Sequence, residues 1–358
     1  MSPLPERNLR TVLPLKSRSP GRHIAYLAAV TSVGILLVSG CGAPTPESAT
    51  KGSASKSSAA AALVSSGAQM GLIWNPADST LRSLAGVPGS TQLGPALFPA
   101  GAYAAGAYSS GTQTALLIDP KGNLQALTQP LTQPQIVAQS VSPASLIVFA
   151  PRGAYAAVFS LGSTSVTVVG GLPQAPVTNG ITAVAALQGA AISDAGTLLL
   201  ATSASNGSVA VTAINAAGTR TSLATLAGFG DMSFIAGSED SLIADSAANT
   251  VARYHNGNAQ TLATHANGLN QPFAVAASQD GHWAVAADKA DASLLRIDLT
   301  LVTPPAQSTC ACSPNQLSAL NGNAVFELAA PAAAPGWMIE ADSPTARVLF
   351  IPPARGGQ

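Results

Sequence analysis

From about residue 68 onward, short apolar runs rich in Val, Ala, Ile and Leu alternate with polar breaks of Gly, Asn, Asp and Pro. The breaks recur about every ten residues, and no stretch keeps a helical period between capping residues. Short strands at this spacing predict an all-β fold, which could be a sandwich, a barrel or a propeller.

One unit recurs along this region and separates these options. It consists of an apolar strand, a tight turn that ends in Gly or Ser, and a second apolar strand. Its turns end at Gly101, Gly153, Gly196, Ser241, Gly281 and Gly336. Consecutive turns lie 40 to 55 residues apart, and a third and often a fourth strand follow each one. This period predicts a β-propeller built from four-stranded antiparallel blades.

The sequence favours six blades and leaves seven possible. In a closed ring, the last interval has two pieces, one from Gly336 to the end of the domain and one from the start of the domain to Gly101. Their summed length matches the other five intervals. Two candidate strands, 71–74 and 347–351, nevertheless share that interval. One of them is surplus in a six-bladed ring, so a seventh blade stays open.

The first 40 residues have the composition of an export signal. A basic stretch ends at Arg22, an apolar segment spans 24–38, and Ser39-Gly40-Cys41 follows. The order of these parts resembles the lipobox of bacterial lipoproteins, which implies cleavage before Cys41 and acylation of its thiol. The domains are then a signal peptide (1–40), a lipidated N-terminus with a flexible Ser/Ala-rich linker (41–67) and a propeller (68–358). A plain signal peptide or a short anchor helix is the alternative.

Acylation of Cys41 would make the lipid bilayer a partner of this chain. Two or more acyl chains hold a protein stably on a membrane, whereas one chain holds it only marginally. The lipobox resemblance therefore implies an exported protein anchored to the cell envelope. Gly42, rather than an Asp, after the cysteine implies the outer membrane if the cell has one, and otherwise the outer face of the cell membrane.

Charge excludes one class of partner. The chain is 47% hydrophobic and 9% charged, with a formal net charge of zero. Residues 1–40 carry five Lys or Arg and one Glu, which leaves 11 basic and 15 acidic residues in the rest. A mildly acidic body has no basic patch for phosphates, so we expect no nucleic-acid binding.

The last three units resemble a known repeat family. The segment 243–254, with Asp245-Ser and then Asn249 before Arg253, is similar to the NHL repeat, and the segments 285–297 and 339–350 follow it less fully. The turn that ends at Gly281 resembles that of the related YVTN propellers. These families host binding proteins, lyases and hydrolases alike, so the resemblance implies a fold and no particular activity.

Three aspartates end the second strand of consecutive units, and they are the candidate ligand-binding residues. Asp245, Asp288 and Asp342 would lie at equivalent places on one rim, where carboxylates could hold a divalent cation or a cationic ligand. The interpretation favoured by the NHL pattern is that each Asp accepts hydrogen bonds within its own turn. We therefore predict no catalytic residue, no metal ligand and no required cofactor, with a bound divalent cation left possible.

Two further cysteines, Cys310 and Cys312, lie two residues apart. Export permits a disulfide, and the pair lacks the further ligands that a metal site needs. A disulfide between them or two reduced, partly buried thiols are both consistent with this spacing.

The favoured function is a membrane-anchored envelope lipoprotein whose propeller is a non-enzymatic binding or scaffold module. Its protein partner in the envelope is not identified by the sequence. The alternative is a propeller enzyme, a lyase or a hydrolase, that uses a metal near the central channel.

Overall fold

The computed structural model describes residues 68–129, 133–330, 335–342 and 345–353. These residues form 27 strands in seven antiparallel sheets, with a 3-10 helix at His265–Asn267. No helix in the described part is long and apolar enough to cross a membrane. The predicted signal peptide, linker and Cys41 lie outside the described residues.

Each sheet is a blade of consecutive strands, and the first strand of each blade lies nearest the centre. Blade 1 contains β1 (Gln69–Asn75), β2 (Thr80–Val87) and β3 (Ser90–Ala96), and blade 2 contains β4 (Ala105–Ser109), β5 (Thr114–Ile118), β6 (Leu124–Thr128) and β7 (Gln135–Ala138). Blade 3 contains β8 (Leu146–Phe149), β9 (Tyr155–Phe159), β10 (Ser165–Gly170) and β11 (Val177–Thr182). Blade 4 contains β12 (Leu187–Ile192), β13 (Leu198–Ser203), β14 (Val209–Ile214) and β15 (Arg220–Leu226).

The remaining three blades follow the same order. Blade 5 contains β16 (Phe229–Phe234), β17 (Ser241–Asp245), β18 (Thr250–His255) and β19 (Asn258–Ala263). Blade 6 contains β20 (Pro272–Ala277), β21 (Trp283–Asp288), β22 (Ser293–Asp298) and β23 (Ala306–Thr309). Blade 7 contains β24 (Ser318–Ala319), β25 (Val325–Ala329), β26 (Gly336–Glu340) and β27 (Arg347–Ile351).

Seven apolar clusters, one between each pair of neighbouring blades, hold the ring together. The cluster that closes the ring packs Ile73 and Leu84 of blade 1 against Val325 and Met338 of blade 7. At the same junction the backbone N–H of Asn321 donates to the carbonyl of Met70 at 2.7 Å. The fold is therefore a closed β-propeller, as the sequence predicts.

The blade count is seven, not the favoured six. The candidate strands 71–74 and 347–351, which compete for one interval in a six-bladed ring, belong to different blades as β1 and β27. The turn at Gly101 lies between blades 1 and 2, and Gly336 starts the third strand of blade 7. The other four predicted positions each mark the turn between the first and second strands of a blade, whereas Gly101 and Gly336 do not. The sequence period therefore skips one blade. Blade 1 has three strands and the other blades four.

The second strand of a blade is buried on both faces because it lies between two neighbouring blades. β5 and β17 are buried at every position, and β13 at every position before Ser203. This burial explains why these strands appear in the sequence as unbroken apolar runs rather than as an alternation. Small residues such as Ala156, Ala157 and Ala286 are fully buried and let adjacent sheets approach closely.

Hydrogen bonds from backbone N–H groups to one side-chain carboxylate also join the turns of neighbouring blades on one face of the ring. Asp194, in the turn between β12 and β13, accepts a hydrogen bond from the backbone N–H of Arg152 at 2.7 Å and from that of Gly237 at 3.0 Å. These two residues lie in the equivalent turns of blades 3 and 5. One carboxylate therefore fixes three consecutive turns.

Candidate binding site

A cavity of about 610 Å³ lies at the centre of the ring. The first strands of all seven blades contribute to its lining, and much of that lining is apolar, including Leu72, Trp74 and Phe149. Its volume falls within the range of cavities that bind small molecules. The cavity at the centre of the ring is therefore the candidate binding site.

Blade 7 gives this cavity its irregular wall. Its first strand, β24, has two residues, and they pair only with Glu327 and Phe326 of the second strand. Phe326 and Glu327 of β25 nevertheless belong to the cavity lining. The second strand of this blade therefore contributes an acidic residue to that lining.

Glu327 is the most unusual residue of the cavity. Glu327 is 3% exposed, and its Oε1 atom has no hydrogen-bond partner among the described residues. Burial raises the pKa of this carboxyl group to about 8, although a hydrogen bond from the Gln316 side chain opposes the rise. The group therefore carries a proton at neutral pH, and its unpartnered oxygen is buried rather than open to the cavity.

Asp231 brings a second carboxyl group to the cavity from β16 of blade 5. Its Oδ2 atom accepts a hydrogen bond from the backbone N–H of Val275, on β20 of the next blade, at 2.9 Å. Burial raises the pKa of Asp231 to about 7, against the hydrogen bonds from Val275 and Met232. Asp231 thus has a structural role, since it joins two first strands, and it also adds negative charge to the cavity when it ionises.

Two lining residues have hydroxyl groups without a partner. The Tyr108 hydroxyl and the Ser233 Oγ atom are buried and have no hydrogen-bond partner among the described residues. Burial raises the pKa of Tyr108 to about 12, so its hydroxyl keeps its proton. Among the described lining residues there is no Lys, Arg or His to balance the two carboxyl groups. The described lining therefore carries latent negative charge and no basic group to balance it.

The structure places the predicted Asp245 at the end of β17. Its carboxylate accepts four hydrogen bonds from backbone N–H groups, those of Ala227, Gly228, Ala247 and Ala248, at 2.7 to 3.1 Å. This is the turn arrangement that the NHL pattern favours. A ligand at Asp245 stays a prediction.

Asp288 and Asp342 have different surroundings from Asp245. Asp288 is fully buried at the end of β21, where it accepts a hydrogen bond from the Ser293 hydroxyl at 3.1 Å. Burial raises its pKa, and the neighbouring Asp291 adds to the rise. Asp342 is exposed, just after β26. No group of three or more acidic, His or Cys side chains suited to a metal ion occurs in the described residues.

Cys310 and Cys312 form a disulfide bond, one of the two states that their spacing left open. Both residues are 9% exposed and lie in the cluster between blades 6 and 7. Their place in that cluster gives them a packing role.

Sequence reasoning missed Glu327, Asp231, Tyr108 and Ser233. A weak signal was present: Glu327 is a single acidic residue inside the apolar strand Val-Phe-Glu-Leu-Ala, and Asp231 lies between Phe-Gly and Met-Ser-Phe. An acidic residue within a buried strand needs a partner or a raised pKa. An acidic residue within an apolar strand is therefore as much a candidate site residue as an aspartate in a turn.

Together, the ring and its cavity place this chain among the β-propellers. A protein from Lactobacillus plantarum is similar to it with a TM-score of 0.54 and 12% identity, over 79% of this chain and 96% of that one. A functionally unknown protein from Desulfotomaculum acetoxidans has a TM-score of 0.53 and 12% identity, over 80% and 100%.

A third similar structure is a chain of the mitotic checkpoint complex, with a TM-score of 0.51 and 11% identity over 68% of this chain and 75% of that one. At identities this low, the similarity shows a shared fold and nothing about function. No protein-family model and no curated protein matches the sequence.

Proposed function

We propose that this chain is a lipid-anchored binding protein of the cell envelope that holds a small ligand in the centre of its propeller. Cys41 attaches the protein to the bilayer, the Ser/Ala-rich linker lets the domain move away from the surface, and the propeller supplies a rigid binding site. A binding role requires recognition without a chemical step, which distinguishes it from the metal-dependent lyase or hydrolase of the alternative.

One observation carries the binding role: the first strands of all seven blades line one cavity of about 610 Å³, and its wall combines apolar residues with the half-buried carboxyl group of Asp231. A cavity of this size, mostly apolar with a few polar groups, is typical of small-molecule sites. The arrangement therefore favours a site at the centre of the ring over one on its rim.

The anchor is tested by separating membranes from the soluble envelope fraction of cells that express the full chain. We expect the wild-type protein in the membrane fraction and the Cys41→Ser variant in the soluble fraction. The matched control is the double variant Cys310→Ser, Cys312→Ser, which lacks the other two cysteines and should stay with the membranes. A Cys41→Ser protein that remains membrane-bound would contradict the lipidation.

The binding role is tested with full-length protein extracted from its own membranes. Native mass spectrometry should detect a bound small molecule, and the small-molecule fraction of the same cells should raise the thermal midpoint of ligand-free protein. A protein without a bound mass and without a shift in its midpoint would argue against a small-molecule site. Metal analysis of the same sample tests the alternative enzyme.

A further inference from the structure

The contacts of β1 show that this strand takes the place of a second strand in its blade. In blades 2 to 7, the turns between first and second strands lie together on one face of the ring. In blades 6 and 7, for example, the backbone N–H of Gln279 donates to the carbonyl of Asn323 at 2.8 Å. Asn321, in the same turn of blade 7, donates through its side-chain amide to the carbonyl of Gln69 at 2.9 Å. β1 therefore begins on the face where second strands begin.

The turn after β1 leads to the same assignment. β2 begins five residues after the last residue of β1, which is the spacing between β17 and β18, the second and third strands of blade 5. The Asn75 side chain accepts a hydrogen bond from the Ala77 N–H at 3.0 Å, as Asp245 does from the Ala247 N–H at 3.1 Å. Both turns end in a residue with a positive φ, 53° in the first and 55° in the second. β1, β2 and β3 therefore correspond to the second, third and fourth strands of the other blades.

β1 consequently presents one strand edge to the centre of the ring. It pairs with β2 on its outer side, and no described strand pairs with it on the inner side. Leu72 and Trp74 of this strand belong to the cavity lining. An unpaired strand edge is a template for a further strand, because a row of backbone N–H and C=O groups points outward from it.

We infer that residues 58–63 of this chain form the first strand of blade 1 and pair with the inner edge of β1. The position of one glycine supports this occupant. Gly67 precedes the first residue of β1 by two positions, as Gly153, Gly196 and Gly281 precede β9, β13 and β21. Those three glycines have positive φ angles and lie in the turns between first and second strands. The chain before β1 therefore has the turn residue that a first strand requires.

The length and composition of the segment fit the same place. In blades 4 and 6 the first strand begins 11 residues before the second strand, and the same distance before Gln69 leads to Ser58. Residues 58–63 are Ser-Ala-Ala-Ala-Ala-Leu and carry no charge, and the nearest preceding charged residue is Lys56. The first strands β12 and β20 are also uncharged and contain consecutive alanines. Small side chains permit the close approach of strands that the centre of the ring requires.

This inference goes beyond the proposed function and depends neither on the lipid anchor nor on a ligand. The propeller would begin near residue 58, and the tether after Cys41 would be shortened to residues 42–57. The added strand would narrow the cavity beside Trp74. Asp231 belongs to blade 5, across the ring, and would remain in the lining.

Hydrogen exchange of the unmodified full chain in detergent micelles, followed by mass spectrometry, tests the placement without a substitution. About half of the amide groups of residues 58–63, those directed at β1, should be protected, because alternate residues of an edge strand bond to the neighbouring strand. After correction for intrinsic rates, these amides should exchange roughly 100-fold more slowly than those of residues 47–54. Equal corrected rates in the two segments would overturn the inference.

Proline substitutions supply a second measurement. Adjacent residues of a strand direct their N–H groups to opposite sides, so one of Ala60→Pro and Ala61→Pro removes a hydrogen bond to β1. That variant should lower the thermal midpoint by several degrees, and the other variant should lower it less. Ala54→Pro, in the tether, is the matched control and should keep the wild-type midpoint. If both strand variants also keep it, the inference is wrong. If they fail to fold while Ala54→Pro folds, the exchange rates of the wild type decide.

A strand donated by a second copy of the chain is the competing outcome. Protection that disappears on dilution, together with a dimer mass in native mass spectrometry, would overturn the pairing within one chain. The tests of the proposed function have separate readouts: fractionation of Cys41→Ser decides the anchor, and detection of a bound molecule decides the binding role.

Discussion

Glu327 makes the stability of the propeller depend on pH in a direction that can be derived from the structure. Burial raises the pKa of its carboxyl group from 4.5 to about 8 in the folded chain. The folded protein therefore binds an extra proton between these two values. A group whose pKa is higher in the folded state stabilises the fold fully at pH values below its unfolded-state pKa. This stabilisation is lost as the pH rises towards its folded-state pKa. Stability should therefore fall between about pH 5 and pH 8.

The size of the fall follows from the same shift. One pKa unit corresponds to about 1.4 kcal/mol, so Glu327 lowers the free energy of unfolding by at most about 4 kcal/mol between pH 5 and pH 8. Asp231, with its pKa raised by burial to about 7, adds at most about 3 kcal/mol between pH 5 and pH 7. Both values are upper limits because water that enters the cavity stabilises the ionised carboxylates.

The assay is urea unfolding of the full chain at several pH values from 5 to 8, followed by Trp fluorescence. Glu327→Gln should lose the Glu327 part of the pH dependence and be more stable than the wild type at pH 8. Glu239→Gln should follow the wild type at every pH. The difference between wild type and Glu327→Gln isolates one carboxyl group from all other titrating residues. A difference that does not change with pH would refute the reasoning.

Two further predictions concern carboxylates that stabilise turns. Asp194→Ala should lower the thermal midpoint and the free energy of unfolding, the latter by about 1 kcal/mol, because the backbone N–H groups of Arg152 and Gly237 lose their acceptor. Asp194→Asn should recover part of this loss. Burial opposes the charge of Asp298, but hydrogen bonds from Thr300 and Thr303 outweigh it and lower its pKa to about 2. Asp298→Ala should therefore lose about 2 kcal/mol at pH 7 in urea unfolding, and this deficit should shrink as the pH falls from about 4 towards 2, where the wild-type carboxylate takes up its proton.

Blades 3 to 6 could be predicted from the sequence because their features are local. The turn glycines Gly153, Gly196 and Gly281 adopt positive φ angles, which few other residues tolerate. The hairpin between β18 and β19 turns at Asn256-Gly257, where both residues have positive φ. Conformations that are set by one or two residues leave a clear mark in the sequence.

The ends of the domain were harder because similar short segments occupy different places. The segment around Gly101 resembles the segment around Gly153, yet Gly101 lies between two blades and Gly153 between the first two strands of one blade. What differs is the strand with which each neighbour pairs, and that pairing depends on residues distant in the chain. Local similarity therefore produced a period that skipped one blade.

The same argument separates the two kinds of acidic residue. The turn role of Asp245 was predictable, since two of the four N–H groups that it binds, those of Ala247 and Ala248, lie in the turn that directly follows it. The place of Glu327 beside the cavity was not predictable, because it depends on how strands distant in the chain are arranged around the centre of the ring.

The seventh blade differs from the other four-stranded blades in what its second strand contributes to the centre. In these blades, Phe326 and Glu327 are the only second-strand residues in the described lining of the cavity. The length of β24 does not explain this, because Ser318 lies directly opposite Glu327 and the N–H groups of Gln316 and Leu320 continue to bond to β25 on either side. The departure from the repeat is instead the acidic residue itself, placed on a strand that is otherwise apolar and buried. Real proteins break such local rules mostly at functional or strained positions, which favours the centre of the ring as the place of the site.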